Sequence, residues 1–162
     1  MHPVIVLQLL ILLMLANGTP LMAKKILGDR YSYPLDGNLC LADGRPVFGR
    51  SKTVRGIALA VPVTMAGASL IGLGWQTGLL VGSFAMAGDL FSSFCKRRLG
   101  LPSSSRASGL DQVPESLLPL LACLNLLALT AADILVCMVM FVIGEVVLSR
   151  LLYAFHLRDR PY

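Results

Sequence analysis

The sequence predicts an all-α integral membrane protein of five transmembrane helices, with the N-terminus outside, two long cytoplasmic loops and a cytoplasmic C-terminus. Two observations carry this. Apolar residues gather in long blocks, and every lysine and arginine falls in three segments between or after those blocks. Apolar residues make up 56% of the chain and charged residues 14%, against about 45–50% and about 25% in soluble domains. The polar remainder is too small for a separate soluble domain, so residues 1–162 are expected to form a single membrane domain.

A membrane-spanning helix needs roughly 20 mostly apolar residues. Val4 to Ala16 supplies the first span. Ile57 to Gly88 is too long for one span and long enough for two short ones, and Leu117 to Leu152 also fits two. The expected spans are 3–18, 56–73, 77–95, 115–131 and 134–153, with cytoplasmic loops over 19–55 and 96–114. The first block lacks the positive start of a signal peptide, opening Met1-His2-Pro3, and Ala16-Asn17-Gly18 is a poor cleavage site. It reads as a retained span.

Lysine and arginine are held on the cytoplasmic side of membrane proteins. The loop from Asn17 to Gly56 holds seven: Lys24, Lys25, Arg30, Arg45, Arg50, Lys52 and Arg55. The loop after the third span holds Lys96, Arg97, Arg98 and Arg106, and the tail Arg150, Arg158 and Arg160, which completes the fourteen in the chain. The connections at Gly74-Trp75-Gln76 and Ala132-Asp133 hold none. Five spans put all three basic segments on one face; an even count would split them. The charge pattern thus supports the span count independently of hydropathy. The net charge of +5 fits anchorage beside anionic lipid. With no recognition fold or aromatic platform, nucleic acid is not an expected partner.

Cys40, Cys95, Cys123 and Cys137 show no CxxC and no metal-ligand spacing, so no thiolate site or disulfide is expected. His2 and His156 lie outside the polar clusters, and no histidine-based catalysis is suggested.

The first loop is about 40 residues long, more than a mere connector needs, and long ordered loops are usually functional. Asp36-Gly37 and Asp43-Gly44 are tight-turn signals. Tyr31, Tyr33, Leu35, Leu41, Val47 and Phe48 make it too apolar for a flexible linker, and a short strand or hairpin fits it. Gly49-Arg-Ser-Lys-Thr-Val-Arg-Gly56 brings cations to the start of the second span, where backbone N–H groups attract anions. It lacks Walker A spacing.

Asp89 stands near the cytoplasmic end of the third span, seven residues before Lys96 and on the same helical face. An intramembrane carboxylate is paired, watered or metal-bound. Asp89 therefore either pairs with an arginine of the following loop or holds a cation. Asp111 and Glu115 open the fourth span, and carboxylates from both ends of that loop could converge on Mg²⁺, which takes oxygen ligands. Glu145, in the last span, either faces the same site or makes a helix–helix hydrogen bond, with the second slightly favoured. Asn125 and Thr130 read as packing polars.

Taken as an ordered set, these segments resemble the CDP-archaeol synthase family, within the broader CTP-dependent CDP-diacylglycerol synthase group. The matching pieces are Asn17 with Pro20, Pro34-Leu-Asp-Gly37, Asp43-Gly-Arg45 with Phe48-Gly49, Lys52-Thr-Val-Arg-Gly56, Gly88-Asp89 with Ser93-Phe-Cys-Lys-Arg-Arg98, and Leu110-Asp-Gln112. The resemblance implies a Mg²⁺-dependent cytidylyltransferase of the inner membrane. It would join CTP to a lipid phosphate, give a CDP-lipid and pyrophosphate, and face the cytoplasm. It implies Lys96, Asp89 and Asp111 as catalytic residues, and Asp89 and Asp111, with Glu115 as a further candidate, as metal ligands. It implies Asn17, Asp36, Asp43, Arg45, Lys52, Thr53, Arg55, Lys96, Arg97 and Arg98 around CTP and the lipid phosphate. One position departs: the archaeal pattern has a second Asp where Pro114 stands. Two other readings exist: a transporter with Asp89 and Glu145 on an ion path, for which a homodimer would restore two-fold symmetry, and an inactive scaffold of the same fold.

Overall fold

The computed structural model describes residues 2–103, 105 and 109–154; Arg106, His156, Arg158 and Arg160 lie outside them. Among the described residues five helices follow in order: α1 Pro3–Leu27, α2 Val54–Leu70, α3 Trp75–Arg98, α4 Gln112–Ala122 and α5 Ala131–Ala154. Among the described residues there is no β-strand, only isolated bridges of Pro34 with Thr53 and Cys40 with Pro46.

Three helices, α1, α3 and α5, are long and apolar enough to cross a membrane, and α2 is a shorter apolar helix of 17 residues. Two helices differ in length from the expected spans. The first does not stop at residue 18: α1 continues through Pro20 to Leu27 and carries Lys24 and Lys25 in its last turn, where cations complement the helix dipole. Hydropathy falls at Asn17-Gly18-Thr19, but Asn17 Nδ2 and Thr19 Oγ1 donate back to the carbonyls of Leu13 and Leu15, so these polar side chains sit inside the helix. The fourth element is a helix of only 11 residues, about 16 Å long. Beyond Ala122 the chain turns through 123–128, with Ala128 at φ +48°, although Leu124, Leu126, Leu127 and Leu129 keep the segment apolar. Lys96, Arg97 and Arg98 form the last turn of α3 rather than part of the loop.

The core is built from one face of α1 (Val6, Leu9, Leu12, Leu13) against Ala68 of α2, Val81 of α3, Leu120 of α4, and Cys137 and Phe141 of α5. Small residues let the backbones approach. A Cβ at Gly78 would fall 2.5 Å from both Met65 Cα and Thr64 O, so α2 and α3 cross nearly backbone to backbone, as is usual where helices pack in lipid. At the bundle end that holds the N-terminus, buried Asp133 accepts from the His2 N–H at 2.7 Å and from the Thr130 N–H at 3.0 Å and hydroxyl at 2.7 Å. Thr130 therefore caps α5 rather than merely packing.

Candidate active site

The opposite end opens into a cavity of about 700 Å³. The C-terminal halves of α1, α3 and α5 line it, with the N-terminal turns of α2 and α4 and parts of both long loops. Alternating helix directions bring these five ends together, so residues distant in sequence meet there.

Two lysine–carboxylate pairs organise it. Lys52 Nζ lies 2.5 Å from both oxygens of Asp89. Lys96 Nζ lies 2.7 Å from Asp111 Oδ1 and donates to the Ser105 carbonyl at 3.0 Å. The sequence reading placed an arginine of the same loop, or a cation, on Asp89. The structure brings Lys52 to Asp89 across 37 residues, rather than an arginine of that loop, because the first loop folds over α3. Backbone bonds from Leu35 N to Lys52 O (2.8 Å) and from Val54 N to Tyr33 O (3.1 Å) fix that strand-like pairing.

Glu115 is buried and hydrogen-bonds Asp89, with Glu145 and Lys52 within electrostatic reach. The tight crossing of α3 and α4 causes this. A Cβ at Gly88 would fall 2.3 Å from Pro114 O and 2.8 Å from Glu115 N, so Glu115 sits directly over Asp89. Pro114 contributes backbone to that crossing. Two carboxylates this close need a proton or a cation between them. Their oxygens, with Asp111 on the same cavity wall, suit a hard divalent ion. No group of three or more His, Cys, Asp or Glu among the described residues is arranged to hold a metal by itself.

Thr53 caps α2: its side chain accepts from Gly56 N at 3.2 Å. Arg97 donates to Ser103 Oγ at 2.9 Å and to Pro102 O at 2.8 Å, and so ties the second long loop to α3. Arg55 grips the carbonyls of Gly28 and Arg30. Asn17, Thr53, Arg55 and Arg97 all line the cavity.

Four residues of the expected substrate set lie outside its lining. Asp36 accepts from the backbone N–H of Phe48 and Gly49, each at 2.9 Å, and of Asn38 at 3.1 Å. Burial pushes its carboxyl pKa up, but these donors outweigh that and hold it below the usual value. The resulting loop stability is present above the ordinary carboxylate range and lost as pH falls through the lowered pKa. Asp43 pairs with Arg98 at 2.6 Å. The Arg45 backbone N–H, then Arg98, keep its pKa low. Arg98 also donates to the carbonyls of Arg45 and Pro46 and lies 5.3 Å over the Phe94 ring, while Arg45 reaches the Arg98 carbonyl. Asp43, Arg45 and Arg98 thus form a strut that fastens the first loop to the end of α3.

The sequence reading missed some lining residues and leaned away from another. Lys24, Arg50, Ser51, Ser103, Ser105, Gln112 and Ser149 line the cavity, and so does Glu145, for which a helix–helix role was favoured. An acid within a span was the available signal for Glu145. Among the described residues the lining carries six basic side chains, Lys24, Arg50, Lys52, Arg55, Lys96 and Arg97, against four acids, Asp89, Asp111, Glu115 and Glu145. A concave, half-buried site with that balance attracts polyanions.

Comparison with known proteins agrees. The family model for CarS-like CDP-archaeol synthase matches residues 66–162. A CDP-archaeol synthase of Pyrobaculum calidifontis is 37% identical over 111 residues, 65% of this chain and 66% of that protein. One of Thermococcus onnurineus is 37% identical over 60% of this chain and 61% of its own length. One of Methanopyrus kandleri is 41% identical over 49% and 50%. The alignments thus span half to just under two thirds of these relatives' length. A solved structure described as an intramembrane enzyme for archaeal membrane lipids biosynthesis superposes with a TM-score of 0.72 at 26% identity, covering 85% of this chain and 90% of that one. The family match extends over more than half of the chain, and the chain belongs to the CDP-archaeol synthase family.

Proposed function

We propose that this chain is a CTP-dependent cytidylyltransferase that joins CMP to a membrane lipid phosphate at the cytoplasmic face, releasing pyrophosphate. The observation that carries the reading is the meeting of Lys52–Asp89 and Lys96–Asp111 in one cavity at the basic end of the bundle. Family membership and the names of the relatives support it.

An ionised phosphate oxygen of the lipid attacks the α-phosphorus of CTP. A new P–O–P bridge forms, and the bond to the β-phosphate oxygen breaks with its electron pair leaving on pyrophosphate. A phosphate monoester is largely dianionic at neutral pH (second pKa about 6), so no strong general base is required. Charge is the obstacle: two unit charges 4 Å apart at an effective dielectric of about 20 repel by roughly 4 kcal/mol. In this reading Lys96 and Arg97 hold the triphosphate and Lys52 meets the charge that develops at the attacked phosphorus. Asp89 and Glu115, with Asp111 near by, would hold Mg²⁺. Bound there, the ion would neutralise phosphate oxygens and ease departure of pyrophosphate. Arg55 and the Thr53 cap fix the segment carrying Lys52. On this reading the basic segments lie on the cytoplasmic side, which would set the cavity at headgroup height with nucleotide entering from the cytoplasm.

The test is turnover by protein purified in detergent, given labelled CTP, Mg²⁺ and a panel of diacyl and ether-linked lipid phosphates. The expected products are CDP-lipid and pyrophosphate in equal amounts. Absence of label in lipid across the panel, with CTP still bound, would sink the catalytic reading and favour a non-catalytic member of the same fold.

A further inference from the structure

We infer that the segment following α1 is an interfacial anchor: Tyr31 and Tyr33 seat in the headgroup layer, and the turn between α1 and the first loop forms the lipid-side rim of the cavity. This rests on the proposed reaction only for its kinetic arm.

Tyr31 and Tyr33 are 71% and 70% exposed, while Ser32 between them lines the cavity. The segment is therefore a thin wall, with its polar residue toward the cavity and its rings turned outward. It is also held in place. Arg55, itself buried, grips the carbonyls of Gly28 and Arg30, and Tyr33 O accepts from Val54 N at 3.1 Å. Tyr31 lies at φ +57°, a left-handed conformation that a bulky residue keeps only where its surroundings impose it. Two exposed rings on a fixed backbone offer a preformed surface to a partner.

The bilayer fits as that partner. α1 is 25 residues long, about 37 Å, against a hydrocarbon core of about 30 Å, so its last turn reaches the headgroups. Met22 and Ile26, one turn apart on α1, are 51% and 74% exposed and lead directly to the tyrosines. Lys24, Lys25 and Arg30 lie within this stretch against a single acid, Asp29, a balance that suits anionic lipid. Tyrosine is enriched at this depth because its ring is apolar and its hydroxyl wet. A lipid phosphate in the same leaflet then passes the rim at Ser32 and meets the cavity cations without leaving headgroup height.

The experiment places a single tryptophan at each site, Tyr31→Trp or Tyr33→Trp in a Trp75→Phe background, in vesicles of phosphatidylcholine and phosphatidylglycerol. Phosphatidylcholine brominated in the upper acyl chain is expected to quench at least roughly half the emission, and aqueous iodide little, as for rings at headgroup depth. Kinetically, Tyr31→Ser/Tyr33→Ser is expected to raise KM for vesicle-embedded lipid phosphate several-fold with KM for CTP unchanged, and Tyr31→Phe/Tyr33→Phe to stay near the parent. Quenching by iodide alone would place the segment in the cytoplasm and overturn the inference. Protection from both quenchers would overturn it too, since another protein copy would then cover the rings. If turnover is absent altogether, the quenching still decides the anchor, so the two readings fail separately.

Discussion

Replacing Asp89 by asparagine is expected to lower kcat by about 10³-fold or more, the scale on which preorganised charge at a reacting phosphate acts. The change leaves the shape of the side chain but removes its charge. Lys52 Nζ, 2.5 Å away, then loses its counter-charge in a site where both side chains are 21% exposed. Removing one partner of a buried pair costs stability as well as function. The double variant Asp89→Asn/Lys52→Met separates the two effects. It restores electrical balance and should recover much of the thermal stability of the parent, while turnover stays lost. Recovery of turnover in the double variant would show that the pair is a structural clamp rather than part of the reacting site. The measurements are the melting temperature in detergent and the initial rate with saturating CTP.

The second large effect is expected at Gly88, which makes no contact with substrate in the proposed reaction. In Gly88→Ala the new methyl would stand 2.3 Å from Pro114 O and 2.5 Å from Pro114 C. These are backbone atoms and cannot rotate aside. The helices must separate, at a cost of about 1–3 kcal/mol for overpacking. Separation also lifts Glu115 from Asp89, the residue next to the glycine. We therefore expect both a lower melting temperature and a loss of turnover larger than the unfolded fraction explains. A variant with parental melting temperature and parental rate would show that the α3–α4 crossing is not needed to assemble the site.

Much of this arrangement is legible in the sequence because it follows from composition. The basic residues fall in three segments, and the apolar blocks between them become helices in the expected order. The Asp36-Gly37 and Asp43-Gly44 turns follow from residue chemistry: Gly37 and Gly44 take φ +56° and +72°. What stayed hidden depends on how helices cross. Hydropathy does not reveal that the fourth element ends at Ala122, since the leucines that follow are as apolar as those before. The Lys52–Asp89 pair needs the first loop to fold over α3, and no spacing rule links positions 37 residues apart. Asp43, Arg45 and Arg98, expected around the substrates, lie outside the cavity lining and tie the first loop to α3. Charged loop residues in a family motif look alike whether they face a cavity or tie a loop to a helix, and only the geometry separates the strut from the cavity wall. Glu145 was ambiguous for a similar reason, because an acid in a span marks a polar environment without saying whether that is a neighbour helix or a cavity.

The central claim is that nucleotide phosphates are held by the inner cations of the cavity and not by the outer strut. Calorimetric titration of Mg²⁺·CTP into the purified protein tests it directly, comparing the parent with Lys96→Ala and Arg98→Ala. Lys96 is 8% exposed and lines the cavity. Arg98 is engaged with Asp43 and with the carbonyls of Arg45 and Pro46. The expected result is one site per chain, weakened about tenfold or more in Lys96→Ala, as for loss of a charge-assisted phosphate contact of about 1.5–3 kcal/mol, and nearly unchanged in Arg98→Ala. Parental affinity in Lys96→Ala, with binding lost in Arg98→Ala, would contradict the account and move the nucleotide to the outer face of the loop.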